Sequence, residues 1–219
     1  CIITNPADTN LDGCTDLNDL MDILSAYGIC GQTEFAACGD LIEHEGYSYS
    51  TVQIGDQCWF SENCRYLPDV SPPSSFGSND ANCYVYDYSG NNLEEAIQTL
   101  NYATYGVLYS YVATEQIEVC PSGWHIPSLA EFELLTDGDD SGDALRSFIW
   151  NGSNSSGFGG IPSGISDNGE FDGLGVYSRW WTADYYDNDR HWYFGLYSYG
   201  TELNEFWDYA GLSVRCVLD

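Results

Sequence analysis

Nine cysteines, scattered from Cys1 to Cys216, constrain this chain more than any other feature. Only Cys58 and Cys64 lie within seven residues of each other, and no Cys-x-x-Cys pair occurs. That spacing argues against zinc knuckles and thioredoxin-type redox sites. Dispersed cysteines read instead as disulfides formed in an oxidising compartment, which makes this a secreted or cell-surface protein. The odd count leaves at least one cysteine unpaired within the chain.

Charge sharpens the picture. Among 219 residues, 34 are acidic and five are basic, for a net charge of −29 at pH 7. The bases are Arg65, Arg146, Arg179, Arg190 and Arg215, and lysine is absent. Nucleic acid is a poor partner, because gripping a phosphate backbone requires clustered cations. The same ground argues against anionic membrane surfaces, and Schiff-base chemistry lacks its lysine. With 43% apolar and 16% aromatic residues, the chain is expected to fold rather than to behave as an acidic tail. Its self-repulsion would be relieved by bound divalent cations. No stretch reads as a membrane span. A start at cysteine without a visible signal peptide reads as a processed mature form.

Residues 1–36 differ in texture from 37–219, and the two are expected to be separate units. The first holds one amphipathic helix, with Leu17, Leu20, Met21, Leu24 and Tyr27 at helical spacing and Gly28 placed to end it. Ahead of that helix and in its first turn stand Asp8, Asn10, Asp12, Gly13, Cys14, Asp16 and Asp19. Oxygen side chains at alternate places, a glycine for the sharp turn and a backbone carbonyl at Cys14 make an EF-hand-type cage for Ca2+. The ligands would be Asp8, Asn10, Asp12, Cys14, Asp16 and Asp19. Aspartate at the last place, followed by Leu20, resembles the calcium loop of dockerins, though a true dockerin carries two such loops. Cys14 and Cys30 flank the helix and could clip its ends.

Beyond residue 37 the pattern predicts strands over 47–54, 84–88, 105–112, 177–182, 192–199 and 213–217. Helices are expected over 93–100, over 129–135 behind a Ser128–Glu131 capping box, and over 144–149. The Gly-, Ser-, Asn- and Asp-rich stretch 153–174 reads as loop. Two further acidic clusters, 137–143 and 184–189, read as helix caps with calcium as the alternative. Asn151 and Asn154 head glycosylation sequons.

Tyr49-Ser-Thr-Val-Gln-Ile-Gly-Asp-Gln-Cys-Trp-Phe-Ser-Glu-Asn63, Cys120-Pro-Ser-Gly-Trp-His-Ile-Pro-Ser128, Arg179-Trp-Trp-Thr-Ala183 and Ser213-Val-Arg-Cys-Val217 resemble, in order, the motifs of the Fibrobacter succinogenes major paralogous domain. That family is similar to the C-type lectin-like fold shared with formylglycine-generating enzymes. The resemblance implies an α+β, C-type lectin-like domain with small twisted antiparallel sheets, few short helices and long ordered loops, behind a small dockerin- or EF-hand-like loop–helix segment. It implies no assigned activity. The copper-binding cysteine pair of formylglycine-generating enzymes has no counterpart here. Cys120 and Cys216 would pair as in lectin-like folds. By order and proximity Cys38 would then pair with Cys58, and Cys64 with Cys83. Cys1 is left as a free, inter-chain or lipidated residue.

Catalysis has little to stand on. His44, His125 and His191 are far apart, and no HExxH, G-x-S-x-G or phosphate loop is present. Trp192, Tyr193 and Trp207 beside Asp187 and Asp189 suit the C–H faces and hydroxyls of a sugar. The alternative is that strands simply favour such rings. Two readings follow. The first is a secreted or cell-surface, calcium-binding, disulfide-stabilised structural or adhesive protein that self-associates into an assembly or filament. The second is a carbohydrate-binding, lectin-like module.

Overall fold

A computed structural model describes residues 35–77 and 80–219. The expected Asp8–Asp19 calcium loop, its expected helix, the expected Cys14–Cys30 pairing and Cys1 all fall outside the described residues.

Short loops with left-handed backbone set the strand pairings. Strand β1 (Leu41–His44) turns into β2 (Tyr47–Ile54) through Glu45 and Gly46, at φ 47° and 78°. Two positive φ values in a two-residue loop match the twist of the flanking strands. Strand β3 (Gln57–Phe60) follows through Gly55 and Asp56. Downstream, β7 (Ser163–Asp167) and β8 (Glu170–Leu174) close around Asn168-Gly169, again at φ 50° and 79°. At Gly164, φ is +66° and a Cβ would stand 2.4 Å from the Asp172 carbonyl, so only glycine lets this hairpin close.

The first sheet runs β1-β2-β3-β12-β6, with β12 at Val217–Leu218 and β6 at Trp124–His125. The second runs β11-β10-β9-β7-β8. Its long members are β9 (Tyr177–Asp187), β10 (Arg190–Tyr197) and β11 (Gly200–Trp207). Every pairing in it is antiparallel except β7 with β9. A small ribbon joins β4 (Cys83–Tyr84) to β5 (Leu108–Tyr109).

Among the described residues there are four α-helices, each of five to eight residues: α1 (Leu93–Ile97), α2 (Leu100–Tyr105), α3 (Tyr111–Gln116) and α4 (Leu129–Thr136). The fold is therefore mostly β, two curled five-stranded sheets, and the expected α+β C-type lectin-like architecture is corrected. The reason lies in segments read as irregular or helical. The stretch 153–174 contains the β7–β8 hairpin, and 144–149 forms turns before a single 3-10 turn at Phe148–Trp150.

Local capping explains other differences. The helix expected over 93–100 breaks because the Thr99 hydroxyl accepts from the Tyr102 amide and starts α2. The strand expected over 105–112 shortens to two residues because Ser110 caps α3. Helix α4 begins where its capping box places it, Ser128 and Glu131 each holding the other's backbone amide. No helix among the described residues is long and apolar enough to cross a membrane.

Two buried clusters fill the body. Phe132 of α4 stacks on Phe194 at 4.6 Å, beside Trp59, Phe158 and Trp180. Trp124, Phe60, Tyr49, Trp181 and Tyr109 belong to the other, onto which Phe35 packs edge-on through Trp124. Cys38–Cys58 and Cys120–Cys216 are disulfides. The expected Cys64–Cys83 bridge does not form: both are buried free thiols. Cys64 packs instead against Cys216, with 3.4 Å between sulfurs.

Candidate functional site

Alternation along β10 decides what the sugar-site candidates can do. Arg190, Trp192, Phe194 and Leu196 share one face of the sheet, while His191, Tyr193 and Tyr197 share the other. Trp192 and Tyr193 therefore cannot serve one ligand. Tyr193 is buried and donates to Glu202. On the other face Trp192 meets Tyr186 edge-on at 5.2 Å. Arg190 lies over the rings of Tyr186 and Trp207, 4.7 and 5.5 Å from their centroids, and pairs with Asp187 and with Glu205 at 3.0 Å. Trp207 also stacks on Tyr209, nearly parallel at 5.8 Å. Asp189 holds the turn: its amide donates to Asp187 and its carbonyl accepts from Asp208. The rings, cation and carboxylates on this face are engaged with one another.

The face that carries Tyr193 is different. Where the β7–β8 hairpin leans over it, a cavity of about 410 Å³ opens, lined by Asp167, Asn168, Asp172, Tyr177, Arg179 and Phe206 among others. Arg179 sits in a box of rings, its guanidinium 5.0 Å from the Tyr177 centroid, 4.6 Å from Tyr193 and 4.9 Å from Phe206. Its Nε donates to the Tyr197 hydroxyl at 3.2 Å. No carboxylate pairs with it among the described residues, in contrast to Arg65, Arg146 and Arg190. The Nη–H donors have no partner among the described residues, although an arginine fork is built to donate in pairs.

Acceptors line the same cavity. Tyr177 donates to Asp172 at 2.7 Å, orienting that carboxylate. Burial raises the Asp167 carboxyl above its ordinary range, with Asp172 adding to the rise and Arg179 opposing it. The cavity thus combines an unsatisfied donor fork, oriented carboxylates and the rings of Tyr177, Phe171 and Phe206. It can hold a small molecule rich in hydroxyls and bearing an apolar face.

The histidines are committed elsewhere. His44 Nε2 bonds to the Glu118 carbonyl at 2.8 Å. His125 bridges Glu131 and Asp219, and His191 stacks on Tyr111 and bonds to Asp208. Among the described residues no cluster of three or more His, Cys, Asp or Glu could hold a metal ion, the acidic stretches 137–143 and 184–189 included.

With the geometry in place, the comparison with protein families is decisive. The model of the Fibrobacter succinogenes major domain matches residues 52–218. The chain belongs to that family. No curated protein and no solved structure matches it. Within the Fibrobacter succinogenes major domain as this chain builds it, the quoted motifs are mainly core. Trp59, Trp124, Trp180 and Trp181 are buried, and Arg215 is wholly enclosed. Arg179 differs from these, its guanidinium lining the cavity beside the β7–β8 hairpin. Sequence reasoning placed it in a closing strand and passed over it, because the cavity exists only once 163–174 folds as a hairpin above β9.

Proposed function

We propose that this is an extracellular, disulfide-stapled adhesive domain that holds neutral carbohydrate in the Arg179 cavity. The observation that carries the reading is the ring-boxed, unpaired guanidinium facing oriented carboxylates. Sugar hydroxyls accept from an arginine fork and donate to aspartates, while C–H faces rest on aromatic walls. A net charge of −29 disfavours uronic and sulfated glycans through long-range repulsion. Two disulfides support the extracellular placement. The reading is of binding rather than catalysis, since each histidine already serves a structural partner. Calcium at Asp8–Asp19 remains a proposal carried by ligand spacing alone, and calorimetry of the full chain with and without a chelator tests it.

Affinity electrophoresis in polysaccharide gels tests the sugar site. The intact chain should be retarded by a neutral polysaccharide and not by a uronic one, and Arg179→Gln should migrate as in a blank gel. Equal retardation of the variant would overturn the reading. Self-association is a second reading, favoured by the adjacent Phe148 and Ile149, which are 73% and 76% exposed on one turn. Sedimentation of the full chain beside Phe148→Ser decides it: oligomers lost in the variant support it, and a monomeric wild type removes it.

A further inference from the structure

Three sulfurs from distant parts of the chain meet in the core. Cys216 is bonded to Cys120 across 96 residues of sequence. Cys64, a free and wholly buried thiol, approaches Cys216 to 3.4 Å between sulfurs. Cys64 is pinned there by its own backbone, its amide donating to Val214 and its carbonyl accepting from Val107. Cys216 is equally fixed, its carbonyl accepting from Phe60. Cys120 is only half-buried. It lines a solvent-open cavity of about 330 Å³ with Ile117, Ile126 and His125.

A thiol in contact with a disulfide sulfur is the arrangement from which exchange proceeds, and it requires no oxidant. Cys64 gives up its proton and its sulfur attacks Cys216. The Cys64–Cys216 bond forms as Cys120–Cys216 breaks, and the electron pair leaves on Cys120, which takes up a proton. One disulfide and one thiol stand on each side of the step. What changes is the position of the thiol, which moves from the sealed core to a solvent-facing cavity.

We propose that Cys120 is a covalent attachment site, unmasked by exchange with Cys64, for an external disulfide. The Cys120 sulfur attacks one sulfur of the incoming disulfide, forming a mixed disulfide and releasing the other half as a thiol. Burial holds the Cys64 thiol above its ordinary range, with desolvation the main cause, so the first step is slow and the resting bridge persists. Cys83, the other free thiol of the described residues, is buried beside Tyr84 and has no disulfide sulfur against it to exchange with.

The test incubates the full chain with oxidised glutathione, quenches in acid and maps the disulfides by mass spectrometry. The proposal expects molecules that carry glutathione on Cys120 and a Cys64–Cys216 bridge together. Cys64→Ser should lower the Cys120 adduct by at least about tenfold, and Cys83→Ser should leave it unchanged. Should Cys64→Ser fail to fold, Cys64→Val fills the same apolar site, and the coupled bridge in the wild type still reads out directly. Adducts confined to Cys64 or Cys83, Cys120 adducts without the new bridge, or an unmodified wild-type chain would each overturn the proposal.

Discussion

Arg215 donates through Nε to the side-chain oxygen of Asn63 at 3.2 Å, deep in the body and without a carboxylate partner among the described residues. The same oxygen accepts from the Trp180 indole at 2.9 Å. The Asn63 amide nitrogen donates onward to Tyr105 and Ser213. The rest of the guanidinium is spent on the carbonyls of Phe60, Phe158 and Gly159, with the Phe158 ring beneath it. One cation thereby satisfies the loop at 158–159 and the end of β3, which would otherwise carry orphaned carbonyls.

Replacing Arg215 by Met should therefore destabilise the domain by about 3 kcal/mol, since each buried carbonyl left without a donor costs about 1–3 kcal/mol and removal of a costly buried charge offsets part of that. Urea unfolding of the two proteins measures it. A variant as stable as the wild type would mean that water satisfies those carbonyls.

Alkaline titration should reveal the buried phenols. Burial lifts Tyr84 and Tyr111 from 10.0 to about 12, and Cys83 from 9.0 to about 12. Groups raised on folding give stability that is complete below their unfolded values and lost as pH rises toward the folded ones. Arg215 acts with the opposite sign, because burial draws it down to about 9 and the cost of its charge fades above that pH. The phenols outnumber it, so stability should fall from pH 10 upward, with the absorbance of the buried tyrosines rising in a cooperative step as the domain unfolds. A rise without any cooperative component would contradict this.

A milder effect attends His125. Burial lowers its basicity, yet hydrogen bonds to Asp219 and Glu131 outweigh burial and leave it raised above 6.5. Its contribution is complete below 6.5 and is lost as pH climbs through the raised value. Glu131 is lowered from 4.5 despite burial, chiefly by its bonds to Ser128, so its share is lost as acid is added. The Tm deficit of His125→Asn should be largest near pH 5.5, between those limits, and shrink by pH 8. A deficit independent of pH would show that only packing is at stake.

Trp192→Ala separates the two sheet faces. Its ring sits on the face opposite the Arg179 cavity, against Tyr186. The substitution should leave saccharide retention unchanged while lowering stability by about 1–2 kcal/mol for the lost half-buried ring. Abolished retention in a folded variant would return the sugar site to the outer face.

Much of the framework was legible in the sequence, for physical reasons. Strand β2 alternates and is bounded by glycine turns, and Ser128 with Glu131 announces α4. The β7–β8 hairpin was hidden by its composition, although Asn168-Gly169 is the strongest short-range turn signal it could carry. Helix α3 was hidden by Tyr111 and Val112, residues that favour strands until Ser110 caps the turn. The sugar-site candidates were grouped by nearness in sequence, which in a strand sends Trp192 and Tyr193 to opposite faces. Arg179 could not be singled out, since its neighbours Tyr177, Tyr193 and Phe206 arrive from three different strands.

The central claim is that Arg179 is the group that meets the ligand. Side-chain nitrogen NMR of the arginines, recorded while a neutral oligosaccharide is added, tests it most directly. The account predicts that the Arg179 guanidinium signals shift and saturate while those of Arg190 and Arg215 stay in place. Saturable shifts at Arg190 with Arg179 unmoved, or no arginine shift with any neutral saccharide, would contradict it.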